Sequence, residues 1–248
     1  MLDLITAVGV KRIINMDLKF DPGSQFSYSD LGMILLMEIA EKVSSSSLEK
    51  MSSSWIYNRL GMNFTTYNPS NDLLAQIVPT EFDTLYRKKL VHGVVHDENA
   101  YLLGGVSSHA GLFSTAKDLG VFSQMMLNKG LYGWKRIFKP ETVDLFTKRA
   151  NIFEGSSRCL GWDSPSGKAS GGVYLSDSSF GHTGFTGTSL WIDPENSVIV
   201  ILLTNAVHPN RRSKDPVYYN WRQRIHSGVY ESLGIVGKNP SLKWRKSW

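Results

Sequence analysis

The sequence predicts an α+β fold in which an antiparallel sheet packs against helices and a helical lobe faces it across a cleft. Three observations predict it. Apolar residues recur at helical spacing through the first three fifths of the chain, at Leu31, Ile34, Leu35, Ile39 and Val43, then at Leu48, Met51, Trp55 and Ile56, then at Leu119, Phe122 and Met126. From Gly161 onward the pattern changes to β-branched and aromatic runs, "GGVYLSDSSFGHTG", "GTSLWIDP" and "SVIVILLTN", separated by glycines or by the turn "DPEN". Strands joined by such short turns run antiparallel.

Each element has a local reason. Pro22-Gly23 marks a turn ahead of the first long helix, and the serine run Ser44 to Ser47 separates it from the second, which ends near "RLGM". Residues 63–92 read as polar and irregular. Thr115 with Asp118 fits a capping box for the helix that follows, and Pro140 suits the first position of "PETVDLFTKRA". Tyr218, Trp221, Ile225, Val229 and Leu233 mark a closing helix that can cover one face of the sheet. At 248 residues and 42% hydrophobic the chain reads as one domain spanning 1–248.

Composition excludes several function classes. No apolar run reaches the ~18 residues of a membrane span, and the first twenty residues do not read as a signal peptide. Cys159 is the sole cysteine, which excludes an internal disulfide and a CxxC metal site, and it reads as a packed, inert thiol. The net charge of +5 is a property of the tail: residues 211–248 hold 9 Lys/Arg against Asp215 and Glu231, a balance of +7, leaving −2 for residues 1–210. No nucleic-acid motif accompanies that charge, so 211–248 reads as a solvated basic helix and tail and nucleic acid is not expected as a partner. No Gly-x-Ser-x-Gly elbow and no phosphate-cradling glycine loop occurs. His92 and His96 have His-x-x-x-His spacing beside Asp97, but Gly93-Val94-Val95 is poor helix material and no glutamate sits between the pair, so a structural loop is expected and no metal. His109 reads as a buried, hydrogen-bonded histidine.

The stretch "GHTGFTGT" places a histidine, a threonine and glycines at the mouth of a hairpin, more than a structural turn requires. "FGHTGFTGTSLWIDP" resembles the Lys-Thr-Gly strand of the serine β-lactamase, penicillin-binding protein and related esterase family, in its His-Thr-Gly form. "PGSQFSYSDLGMILLMEIAEKV" resembles that family's Tyr-x-Asn segment, with Tyr28-Ser29-Asp30 in the motif positions, and "HDENAYLLGGVSSHAGLFSTAKDL" is similar to its glycine-rich segment ahead of a helix. With "LGW" at Leu160 to Trp162, the likeness covers nearly all of residues 15–235.

The resemblance implies hydrolysis of an ester, amide or lactam through an acyl-serine, with no cofactor and with a small-molecule or peptide-like acyl substrate. It implies that the Phe185 N–H stabilises the developing oxyanion, where each such donor is worth ~10²–10³ in rate. It implies that Gly184 lets the strand edge approach the substrate, that Thr183 and His182 bind its polar end, and that Tyr28 shuttles protons. Asp30 stands where asparagine is commoner, so an amide donor becomes a carboxylate, a group that can orient a lysine. The family's nucleophile, the serine of Ser-x-x-Lys, precedes Tyr-x-Asn in the chain. Here the two literal matches, Ser47-Leu48-Glu49-Lys50 and Ser114-Thr115-Ala116-Lys117, both follow Tyr28. The expectation is therefore a family member lacking its N-terminal part, inactive as this isolated chain and open at one sheet edge to self-association. The alternative is a non-catalytic ligand-binding module that keeps the cleft. The family's extracytoplasmic members make the periplasm the expected compartment.

Overall fold

The computed structural model describes residues 9–153, 155–214 and 216–245. The backbone clusters into two compact units, Met1–Thr115 and Ala116–Trp248, and each is described by itself.

In the first unit, helix α1 spans Asp30–Ser44. The Ser29 hydroxyl accepts from the Gly32 N–H at 3.2 Å and so satisfies one of the amides a helix start leaves without an intrahelical partner. Ser45 adopts the left-handed conformation that closes its other end. Ile34 and Met37 are buried with Val10, while Leu31 and Leu35 pack against that cluster. The predicted stripe is narrower than expected. Ile39 lies about 140° around the helix from Ile34 and Val43 about 180°, and both are exposed, Val43 at 83%.

Helix α2, Leu48–Ser52, runs through a π turn at Ser53–Tyr57 into α3, Asn58–Leu60. Gly61 then stops it in the left-handed region at φ 71°. The stretch expected to be irregular contains a two-residue hairpin, β1 (Phe82–Asp83) with β2 (Lys89–Leu90). A short helix α4, Glu98–Leu102, follows, capped by Asp97.

The second unit holds the sheet. It begins with helix α5 (Ala116–Leu127), the small hairpin β3 (Leu131–Tyr132) and β4 (Lys135–Arg136), and helix α6 (Pro140–Thr147), which starts at Pro140 as expected. Strands β5 (Phe180–Thr183), β6 (Ser189–Asp193) and β7 (Val198–Leu202) follow, antiparallel and in the order β5-β6-β7. Gly181 pairs with Trp191, and Trp191 with Val200.

Side chains alternate along β7: Val198 and Val200 join a core with Trp191, Leu175 and Tyr230, while Ile201 faces the α5 backbone at Gly120. The sheet is thus covered on one face by α5 and on the other by helix α7 (Pro216–Ser232). β7 has no further strand partner among the described residues. No helix of the described residues is long and apolar enough to cross a membrane.

Two expectations need correction. Residues 171–179 do not extend β5; the segment turns, tied down by Asp193, whose carboxylate accepts from the Ser176 N–H and hydroxyl, from Asn196 and from the Tyr230 hydroxyl. Burial pushes the Asp193 carboxyl up, but the Ser176 and Asn196 hydrogen bonds outweigh it and hold it below the usual range.

The closing helix is also turned differently from its apolar spacing. Trp221, Ile225 and Leu233 are exposed, and the buried face is Arg222, Gln223, His226, Ser227 and Tyr230. This face is polar because it serves irregular backbone. Gln223 donates to the Ala169 and Lys243 carbonyls and accepts from the Arg245 N–H, and Ser227 accepts from the Val173 N–H. His226 Nε2 meets the Ser189 hydroxyl at 2.8 Å.

Candidate functional site

The residues singled out in the sequence fall on two segments, one in each unit. In the first, Tyr28 precedes the α1 cap and is 63% exposed. Ser29 is occupied as the N-cap, and Asp30 opens the helix, where a carboxylate is favoured by the helix dipole.

Asp30 does not stand alone. One donor atom each from Asp30, Asp97 and His109 lie within 4.8 Å of one another. His109 Nε2 is 2.9 Å from Asp97 Oδ1, its Nδ1 is 2.7 Å from the Ser107 hydroxyl, and Asp97 also accepts from the Ala100 N–H. The His109 hydrogen bond holds the Asp97 carboxyl below the usual range, against the opposing effect of burial. The donor types could take a divalent cation, but both ring nitrogens of His109 are already engaged. His109 is thus the hydrogen-bonded histidine expected, while its grouping with Asp30 was not foreseen. The His92–His96 pair does not assemble: His92 Nε2 bonds the Ile77 carbonyl and His96 stands 3.7 Å from Glu81.

In the second unit, β5 ends with His182 and Thr183, and the chain turns through Gly184 to Gly187 before β6. Gly184 donates its N–H to the Thr188 carbonyl at 2.8 Å, and a Cβ at Gly184 would collide with the Thr188 hydroxyl. The glycine therefore has an internal reason as well as the one expected from substrate approach. The turn is anchored from behind, since Gly187 O accepts from the hydroxyls of Thr204 and Tyr218.

His182 Nδ1 lies 2.8 Å from the Thr183 carbonyl, and its Nε2 lies 3.4 Å from an Arg158 nitrogen. A guanidinium only donates, so that contact calls for Nε2 as acceptor and places the ring proton on Nδ1. Arg158, 3.9 Å from Asp163, thus brings a guanidinium beside His182.

Phe185 is 57% exposed. Lys214 Nζ lies 4.5 Å from its ring centroid and donates to its carbonyl at 2.5 Å, and Arg211 stacks at 5.7 Å. Two of the basic residues read as solvated tail therefore border the predicted oxyanion turn. No pattern in the sequence links 211–214 to 185, because the contact is made only once β6 and β7 have folded between them.

The two serines in literal Ser-x-x-Lys sequences have structural partners. Ser47 Oγ caps α2 by accepting from the Lys50 N–H, and Ser114 Oγ meets the Thr65 hydroxyl at 2.8 Å. Cys159 is buried, and burial pushes its thiol up to about 11, consistent with an inert packing role.

Residues 6–223 match the protein family described as Beta-lactamase. A Salmonella choleraesuis protein named "Putative D-alanyl-D-alanine carboxypeptidase" is 38% identical over 216 residues, covering 80% of this chain and 49% of that protein. The chain thus spans about half the length of the curated relatives it matches. Among solved structures, simvastatin synthase from Aspergillus terreus superposes with a TM-score of 0.66 at 16% identity, covering 95% of this chain and 62% of the other. EstCE1, a hydrolase with promiscuous acyltransferase activity, gives 0.54 at 19% identity, covering 86% and 59%. At these identities the structural likeness establishes the α+β fold.

Proposed function

The chain belongs to the beta-lactamase family of serine hydrolases, and from that premise we infer that its second unit carries a substrate-binding wall of an acyl-transfer site for peptides ending in D-alanine. The observation that carries the reading is the His182-Thr183-Gly184-Phe185 strand end, held on β5 with its turn anchored from behind by Thr204 and Tyr218. The substrate class rests on the name of the 38% identical relative.

In the reaction proposed, a serine oxygen adds to the carbonyl carbon and the C–N bond breaks. The leaving amine takes a proton, and water then releases the acyl group. The Phe185 N–H stabilises the oxyanion, a preorganised donor in place before charge develops. Thr183 and His182, with the Arg158 cation behind the histidine, hold the substrate's polar end. For the first unit, the motif resemblance assigns Tyr28 a proton relay and Asp30 the orienting of the family's lysine. Two facts support assigning the nucleophile elsewhere than Ser47 or Ser114: each hydroxyl is committed to a neighbouring amide or hydroxyl, and each follows Tyr28 in the chain. Substrate binding without acylation of Ser47 or Ser114 is therefore expected.

A titration of the chain with an N-acylated D-alanyl-D-alanine dipeptide, followed by calorimetry, tests this. Saturable binding is expected, weakened about ten-fold in Thr183→Val, where one hydrogen bond to a charged group is lost. Binding that is absent, or equal in the two proteins, contradicts the assignment of the strand as a binding wall.

A further inference from the structure

Within the second unit, a cavity of about 380 Å³ is lined by Asp163, Lys168, Ser170, Thr183, Arg222 and Arg245 among others. Its charge is unbalanced. Arg222 is only 4% exposed, and its Nε is buried without a hydrogen-bond partner; the same holds for Nε of Arg245.

The contacts these guanidiniums make are with aromatic faces. Arg222 lies 5.4 Å from the Tyr218 ring centroid and 5.5 Å from that of Tyr219, and Arg245 lies 5.7 Å from Tyr219. Two cations thus share one ring, and each raises the electrostatic cost of the other. Burial and then the Arg222 charge hold Arg245 below the ordinary arginine range, and burial followed by Arg222 also lowers His226. Asp163, the carboxylate on the cavity wall, lies 3.9 Å from Arg158 and accepts from the Ser164 N–H. A buried cation without a countercharge is costly, and a cation–π contact offsets only part of that cost.

We propose that this cavity is a binding site for a small oxyanion, a carboxylate or phosphate group, held by Arg222 and Arg245 with the Ser170 and Lys168 side chains at its wall. Guanidiniums suit such a ligand because their planar forks match the oxygens of both groups, and the serine hydroxyl supplies a neutral donor. The cavity shares its Thr183 wall with the strand proposed to bind the acyl substrate, but Arg222 and Arg245 have no part in that reading, and their variants test this site alone.

The test is calorimetric titration of the full chain with inorganic phosphate and, separately, with succinate, each against sodium chloride at equal ionic strength. One-site saturable binding of either is expected, and the tighter of the two identifies the ligand chemistry. Arg222→Met should weaken it about ten- to hundred-fold, the loss of a charged hydrogen-bonding partner. Should Arg222→Met fail to fold, Arg245→Gln, whose side chain is half-buried at the cavity wall, should weaken binding in the same direction. Absence of saturable binding by both anions overturns the proposal, as does binding that survives unchanged in both variants. A thermal stabilisation that grows linearly with salt and is equal in all three proteins would reflect exclusion of the anion from the surface, and it too overturns the proposal.

Discussion

Replacing Gly181 by alanine should cost the second unit about 3 kcal/mol, the upper part of the range for an overpacked core. The methyl group would lie 2.5 Å from Trp191 Cδ2 and closer still to the Leu190 carbonyl oxygen, a backbone atom of the paired strand. Relief requires β5 and β6 to separate, and Trp191 with them. His182 and Thr183 follow Gly181 directly on β5, so the predicted binding wall moves as well. Urea unfolding monitored by tryptophan emission measures the cost. A useful contrast is Gly120→Ala in α5, where the added methyl meets only Ile201 Cδ1 at 3.9 Å. That change should stabilise by about 1 kcal/mol, because glycine is a poor residue inside a helix. Equal effects of the two substitutions would mean that the β5–β6 contact is not the constraint described.

Acid should weaken the same unit through His226. Burial, then the nearby Arg222 charge, pushes this imidazole from 6.5 down to about 4. The sign follows from proton uptake. Below about pH 6.5 the unfolded chain binds a proton that the folded His226 refuses, so stability falls as the pH drops and levels off near pH 4. The span of about 2.5 units corresponds to about 3 kcal/mol. Asp97 and Asp193, both held below their usual 3.8, lose their contribution only at lower pH and so leave this window to the histidine. His226→Gln keeps a hydrogen-bonding amide for Ser189 and removes the titration, so its stability should be nearly flat from pH 6.5 to 4. A wild-type protein equally flat there would contradict a neutral, buried His226.

Much of the architecture was legible because it depends on local signals. The turn "DPEN" between two β-branched runs sets the β6–β7 hairpin, Ser29 caps α1, and Pro140 starts α6. Helix α7 was misread because spacing reports which residues are apolar and not which face has work to do. Gln223, His226, Ser227 and Tyr230 are buried to satisfy the irregular segments at 169–173 and 243–245 and the Ser189 and Asp193 side chains, and those partners lie far away in sequence.

The site divides in the same way. Tyr28 and His182 stand out as members of short motifs. Arg158 beside His182, His109 beside Asp97 and Asp30, and Lys214 over Phe185 are pairings made by the fold, and no spacing announces them.

The claim on which the functional account rests is that the His182–Phe185 segment is a substrate-binding wall of a serine hydrolase whose nucleophile is neither Ser47 nor Ser114. Intact-mass spectrometry after incubation with a fluorophosphonate and with a penicillin tests it most directly. The account predicts an unchanged mass for the 248-residue chain with both reagents. An adduct of one equivalent, mapped by peptide digestion to Ser114 or Ser47, would contradict it.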